Sequence, residues 1–241
     1  MLSKNEVKYI QSLCHKKQRN ETGLFIVEGV KLIEELLTSN LEIQKIYALS
    51  SWLQEHQLYQ SITTIVESFE LEKISSLQSP QAVLAVVKQP FSISELPMDS
   101  TGIILCLDGI QDPGNLGTII RIADWFGIEH IVCSSNTVEL YNPKVIQSTM
   151  GSFLRATVHY TNLTDYLSNT SLPVYGALLD GENIFEITKP QNAVIVIGSE
   201  GKGISSELLP FIQHPITIPK KGGAESLNAA VATGILAAFF C

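Results

Sequence analysis

The chain has 241 residues, 45 % hydrophobic and 17 % charged, the composition of an ordinary folded protein with length for one large or two modest domains. Its formal net charge of −8 speaks against a general polyanion binder, whose footprint is a basic domain. No apolar run approaches the roughly 20 residues of a bilayer span, and the start, Met1-Leu2-Ser3-Lys4-Asn5-Glu6, lacks the apolar stretch of a secretory signal, so a cytoplasmic protein with no membrane partner is expected.

In chain order, Asn5 to Lys17 reads as helix, Gly23-Leu24-Phe25-Ile26-Val27-Glu28 as strand, and Val30 to Leu37 as helix from the spacing of Leu32, Ile33, Leu36 and Leu37. Ile43 to Leu49 and Ala82 to Val87 follow as strands, which makes residues 1–90 a small α/β domain. Its first 20 residues carry Lys4, Lys8, Lys16, Lys17 and Arg19 against Glu6 alone. That local excess suits a phosphate backbone or, equally, a solvated helix face. Tyr9 and Phe25 nearby are candidates for stacking on bases or for the core. Residues 91–99, with Pro97 and no helical period, read as a linker.

Residues 100–241 form the second expected domain. Buried-strand runs are Gly102–Leu107, Ile128–Cys133, Val174–Leu179, Ala193–Ile197 and Ile216–Ile218, most of them separated by helical stretches. This is the pattern of a mainly parallel α/β sheet covered on both faces. Cys14, Cys106, Cys133 and Cys241 lie far apart with no Cys-x-x-Cys, so reduced, mostly buried thiols are expected instead of a disulfide framework or a zinc site.

Three polar segments follow apolar runs in this second half, at the strand ends where α/β sheets hold ligands. The first is Asn115-Leu116-Gly117-Thr118-Ile119-Ile120-Arg121. Asn115 is placed to cap a helix whose apolar stripe is Leu116, Ile119, Ile120 and Ala123, with Arg121 off that stripe. The second is Ile197-Gly198-Ser199-Glu200-Gly201-Lys202-Gly203, whose glycines allow tight turns and close approach of backbone to a ligand. It has neither the spacing of a dinucleotide fingerprint nor the ending of a P-loop. The third runs from Ile218-Pro219 to Glu225-Ser226-Leu227-Asn228, which opens a helix apolar almost all round. Asn, Arg, Glu and Ser among glycines, with no Cys or His, suit a nucleotide-like molecule and a polar acceptor better than a metal.

In this order the segments resemble the motifs of the SpoU/TrmH branch of the SPOUT methyltransferases, which methylate ribose 2′-hydroxyls of RNA. Residues 1–90 resemble the L30e-like RNA-binding domain fused in front of many members, through Gly23–Gly29 and Pro80–Ala85. The resemblance implies a sheet with a deep trefoil knot, S-adenosyl-L-methionine as methyl donor, no metal, and a homodimer formed through the C-terminal domain. It matches Asn115, Arg121, Glu200, Ser226 and Asn228 to the polar active-site set. Ile197, Gly198, Gly201, Ile218, Pro219 and Leu227 fall where the donor is held, and Lys4, Lys8, Lys16, Lys17 and Arg19 where RNA is bound. Arg121 is expected to grip RNA and orient the 2′-hydroxyl, Glu200 to orient Arg121 or neighbouring amides, and Asn115 and Asn228 to hold the loops and the ribose. Ribosomal RNA is the expected substrate. A transfer-RNA enzyme and a noncatalytic RNA-binding or ribosome-assembly protein of the same fold are the alternatives.

Overall fold

A computed structural model of the chain describes residues 1–90 and 95–241. Residues 91–94, the start of the expected linker, lie outside the described residues. The chain divides into two compact units, Met1–Ser92 with Tyr141–Leu154, and Ile93–Leu140 with Arg155–Cys241.

The first unit contains α1 (Lys4–Ser12), α2 (Lys16–Thr22), β1 (Leu24–Glu28), α3 (Val30–Leu37), β2 (Ile43–Ala48), α4 (Ser50–Glu55), β3 (Thr63–Ile65), α5 (Ser68–Ile74) and β4 (Val83–Lys88). Its sheet has the order β1-β4-β2-β3, with β4 antiparallel to both neighbours and β2 parallel to β3. Ile10 and Leu13 pack with Ile26, Tyr47, Leu84 and Val86 of the strands and Leu71 and Ile74 of α5. The helix expected from Asn5 to Lys17 is two helices. The break falls where the Arg19 guanidinium donates to the Leu13 carbonyl at 2.7 Å.

That bond overturns one expectation. Arg19 is 2 % exposed, so its charge answers a carbonyl at a helix end inside the unit and is not offered to RNA. Lys4, Lys8, Lys16 and Lys17 are exposed. Phe25 is fully buried against Tyr141 and Phe153, with ring centroids 4.5 and 6.2 Å away, which makes it a core residue; Tyr9 is partly exposed. The same rings tie Tyr141–Leu154 into this unit, although the expected boundary gave that segment to the second domain.

The second unit contains β5 (Ile103–Asp108), α6 (Pro113–Phe126) and β6 (His130–Ser134). After α7 (Pro143–Thr149), which belongs to the first unit, come β7 (Thr157–Thr161), α8 (Leu163–Asn169), β8 (Val174–Asn183), β9 (Ala193–Gly198), β10 (His214–Thr217) and α9 (Ala229–Phe240). All its strands are parallel, in the order β10-β8-β9-β5-β6-β7. Alternate residues explain the continuous apolar runs. Ile104, Cys106, Val132, Val194 and Val196 face Leu163, Tyr166 and Leu167 of α8, while the equally buried Leu105, Leu107, Ile131, Ile195 and Ile197 point to the other face, where α6 and α9 pack together.

Strand β7 escapes a reading by apolar runs because it is polar and half-exposed, as an edge strand can be. Tyr166 donates to the Pro97 carbonyl at 3.0 Å and Thr170 to that of Met98 at 2.8 Å, so the later part of the expected linker is docked on the second unit. Strand β10 lies at the edge beyond β8, and the chain then returns to bring α9 against α6. Cys106 and Cys133 are buried, and burial pushes both thiols up, which keeps them protonated and inert. Cys14 is half-buried and Cys241 exposed, and all four are free. No helix among the described residues is long and apolar enough to cross a membrane.

Candidate functional site

The first motif sits at the start of α6. Asp112, not Asn115, caps this helix: its Oδ1 accepts from the Asn115 backbone N–H at 2.9 Å, and Pro113 opens the first turn, where a missing N–H costs nothing. The cap being filled, the Asn115 side chain is left for longer-range bonds. Its Nδ2 donates to Glu200 Oε1 at 2.9 Å, and its Oδ1 accepts from Asn228 Nδ2 at 2.9 Å.

The third motif differs from expectation in the same way. Helix α9 begins at Ala229, and Asn228 is its cap, accepting from the N–H groups of Ala230 and Val231 at 3.0 and 3.2 Å; Glu225, Ser226 and Leu227 belong to the preceding loop. Asn228 therefore uses its oxygen for the helix and its amide for the site, where Nδ2 also donates to Glu200 Oε1. The Ala229 N–H reaches the same oxygen at 3.2 Å. Glu200 thus gathers Asn115, Asn228 and a helix N-terminus, a place that favours negative charge. It orients amides and does not touch Arg121 among the described contacts.

Around this junction lie two cavities. One, of about 650 Å³, lies between the end of β9, the bulge of β8 and the loop that precedes α9. Ile197, Gly198, Gly201, Ile218, Pro219 and Leu227 all line it, as does Ser226. Gly198 is needed there because a Cβ would come within 2.0 Å of the Gly203 carbonyl carbon, whereas one on Gly201 would meet nothing within 4 Å.

Ala177, Leu178 and Leu179 also line this cavity, and no motif pointed to them. Strand β8 pairs with β10 through Tyr175 and Gly176, then again through Glu182 and Asn183, so the residues between bulge out of the ladder. The available signal was a pair of strand glycines. A Cβ on Gly176 would come within 2.7 Å of Ile212, and one on Gly181 within 2.3 Å of the Ile216 backbone.

The other cavity, of about 450 Å³, lies at the ends of β5 and β6 and shares Ser199, Glu200, Gly201, Lys202, Gly203 and Ala229 with the first. Asp108, Gln111, Asp112, Asn115, Asn136 and Ser205 contribute the rest of its polar wall. Arg121 lies apart from both. It is six residues beyond Asn115, which on a helix means about 9 Å along the axis and a third of a turn away. It is exposed, on the side of α6 that also carries Trp125, and is not part of either lining. Among the described residues no cluster of His, Cys, Asp and Glu could hold a metal ion.

Residues 102–238 match the family model described as the SpoU rRNA Methylase family, and residues 4–85 match an MRM3-like substrate binding domain. The chain is 33 % identical to the 23S rRNA (guanosine(2553)-2′-O)-methyltransferase RlmP of Bacillus subtilis, over 97 % of this chain and 95 % of that protein. It is 26 % identical to a 23S rRNA (uridine(2479)-2′-O)-methyltransferase of Streptomyces viridochromogenes, over 93 % and 85 % of the two chains. The crystal structure of an AdoMet-bound rRNA methyltransferase from Sinorhizobium meliloti superposes with a TM-score of 0.89 at 28 % identity, covering 100 % of this chain and 95 % of that one.

Proposed function

This chain belongs to the SpoU rRNA methylase family, and from that premise we propose that it transfers a methyl group from S-adenosyl-L-methionine to a ribose 2′-hydroxyl of ribosomal RNA. One observation carries the reading: Glu200, which receives the amides of Asn115 and Asn228, lines two adjoining cavities, and Asn115 lines the one at the ends of β5 and β6. A transfer reaction needs two sites that adjoin, because donor and acceptor must meet in line and in contact. A noncatalytic RNA-binding role gives no reason to keep the junction closed between two cavities.

The apolar cavity fits the donor. Its volume lies in the usual range for a small-molecule site, and Leu178, Ile197, Ile218, Leu227 and Leu236 offer surface for an adenosine. Gly198 keeps the backbone of the glycine loop close enough to bond the ligand. When bound, S-adenosylmethionine supplies an electrophilic methyl on a sulfonium. The protein's part is to hold the acceptor oxygen behind that methyl, and the hydroxyl proton passes to solvent as the new oxygen–carbon bond forms and the sulfur–methyl bond breaks. Asn115 and Asn228, braced by Glu200, position the ribose, and Ser226 on the rim of the donor cavity bonds near the acceptor.

Arg121 acts in this reading as a clamp on RNA and not as the base, since a guanidinium stays protonated. Its exposed side of α6 also belongs to the proposed homodimer contact. Trp125 on α6 is 84 % exposed and Val231 on the packed α9 is 52 % exposed, so a helix that is apolar nearly all round is only half-covered within one chain. Trp125→Glu is expected to shift the protein from dimer to monomer in sedimentation velocity. A wild-type monomer, or an unshifted dimer in the variant, would refute that contact.

Residues 1–90 serve as the RNA-binding domain through Lys4, Lys8, Lys16 and Lys17, and residues 100–241 as the catalytic one. An rRNA substrate supports a cytoplasmic location. The test is incubation of the protein with labelled S-adenosylmethionine and unmodified total RNA, followed by nucleoside analysis; a labelled 2′-O-methylnucleoside in the rRNA fraction is expected. Arg121→Ala should lower kcat/KM for RNA by about 100-fold and leave donor affinity within about twofold. Near-normal single-turnover rates in that variant at saturating RNA would remove Arg121 from the active set.

A further inference from the structure

We infer that Asp108 is a catalytic residue that takes the 2′-hydroxyl proton on its way to solvent during methyl transfer; this rests on the methyl-transfer reading above and adds to it the group that accepts the proton. Attack by a hydroxyl on a methyl group needs somewhere for that proton to go, and a positioned acceptor is worth about 10²–10⁴-fold in rate. Asp108 ends β5 and lines the polar cavity. In the ladder of β5 and β9 it stands opposite Gly198, which lines the donor cavity, so its backbone is one strand spacing, about 4.8 Å, from that lining. A hydroxyl held where the two cavities adjoin lies within reach of this carboxylate, directly or through one water.

Burial and bonding single out this carboxylate. Asp108 is 8 % exposed, and its Oδ2 accepts from the Ser205 N–H at 2.7 Å, which fixes its position. Its Oδ1 has no hydrogen-bond partner among the described residues and is left to the cavity that the residue lines. The Ser205 hydroxyl, in the same lining, is buried and likewise without a partner among the described residues. A proton acceptor thus stands beside a hydroxyl that can accept and donate in turn.

The other charged and titratable groups around the two cavities are less suited. Lys202, Lys220 and Lys221 are cations, and neither lining contains His or Cys. Cys106, two residues back on β5, is fully buried. Asp112 and Glu200 are exposed and already hold protein groups: Asp112 Oδ1 caps α6 through the Asn115 N–H, and Glu200 Oε1 receives two side-chain amides and the Ala229 N–H. Protonating Glu200 would weaken bonds that its charge strengthens, and would loosen the junction at the moment of transfer. Glu225 is exposed on the loop before α9 and lines the donor cavity alone. With Asp108 the step balances. As the oxygen–methyl bond forms and the sulfur–methyl bond breaks, the O–H electron pair stays on oxygen and the proton passes to Asp108 Oδ1. The positive charge of the sulfonium and the negative charge of the carboxylate vanish together, and the acid then gives its proton to solvent.

The test measures single-turnover methyl transfer from labelled S-adenosylmethionine to unmodified 23S rRNA transcript by full-length protein. Asp108→Asn keeps an oxygen for the Ser205 N–H but cannot take a proton, and should lower that rate at least about 100-fold, with donor affinity and melting temperature unchanged. Asp108→Ala should be slow as well, and added formate, a carboxylate small enough for the space left, should recover at least about tenfold. A purely structural Asp108 would give no such rescue. If the alanine variant does not fold, Asp108→Asn decides alone. A full rate in Asp108→Asn, or weaker donor binding or a lowered melt in it, would overturn the assignment while methyl transfer itself stands. So would formate rescue that is absent from folded Asp108→Ala, or that is found in Glu200→Ala or Glu225→Ala instead. Donor binding by the wild-type protein with no 2′-O-methylnucleoside in any RNA would sink the underlying reading, and this one with it.

Discussion

Replacing Glu200 with alanine should slow methyl transfer by about 100-fold while changing thermal stability little. One oxygen of this carboxylate receives the Asn115 amide, the Asn228 amide and the Ala229 N–H. Glu200 and Asn228 are exposed, so water can take over the freed donors, and the stability cost is about 1 kcal/mol. The catalytic cost is larger because the same bonds hold the first and third motifs in register, and a displacement of about 1 Å at a reacting centre can lose two orders of magnitude. Glu200→Gln keeps a carbonyl acceptor but gives up the charge beside a helix N-terminus, and should fall between wild type and Glu200→Ala. Single-turnover rates with saturating RNA, set beside thermal melts, separate the two costs. A full single-turnover rate in Glu200→Ala would show that the junction is not part of the active site.

The second large effect is expected at Gly198. A methyl group there would come within 2.0 Å of the Gly203 carbonyl carbon and 2.2 Å of the Ile204 nitrogen, both backbone atoms that no rotamer change can move. The loop from Ser199 to Gly203 closes on itself through Ser199 and Gly203, which exchange two backbone bonds at 3.2 and 2.8 Å. It must therefore shift as a body, by at least about 1 Å, into the cavity wall. Gly198→Ala should weaken S-adenosylmethionine binding by more than about 100-fold and cost about 1–3 kcal/mol of stability. Gly201→Ala is the internal control. It stands in the same loop and lines the same cavity, yet its Cβ would meet nothing, so donor affinity should stay within about threefold. Calorimetric titration of the two variants checks the contrast, and equal losses in both would mean that loop flexibility, and not backbone clearance, is what Gly198 provides.

Much of the second unit was legible because it is a buried parallel sheet. Strands covered on both faces become unbroken apolar runs, and those at Ile103–Asp108 and Ala193–Gly198 announce themselves, as does the apolar start of Val174–Asn183, whose second half is polar and exposed. The edge strand Thr157–Thr161 did not, since Thr, His and Tyr on a half-exposed strand carry no such run. In the first unit, α4, β3 and α5 are short and escaped for the same lack of period. At both helices of the site the cap lies a few residues from where the sequence places it, because Asp112, Asn115, Ser226 and Asn228 are all competent caps and only backbone geometry chooses among them. Arg19 departs from the expectation because charge counted along the chain says nothing of a carbonyl that folds back to meet it.

By itself the sequence determined the alternation of strands and helices, the apolar runs that must be buried, and the three glycine- and amide-rich segments that carry the chemistry. Each follows from local physics: side-chain period, steric freedom of glycine, and the solubility of polar groups. Only the tertiary structure decided that Asn115, Glu200 and Asn228, up to 113 residues apart, share one junction, that Ala177–Leu179 bulge into the donor cavity, and that Ser205 fixes Asp108 in the lining of the polar one. These are long-range contacts, set by how the strands order themselves in the sheet and by which backbones can pass within a glycine's clearance, and no local pattern encodes them.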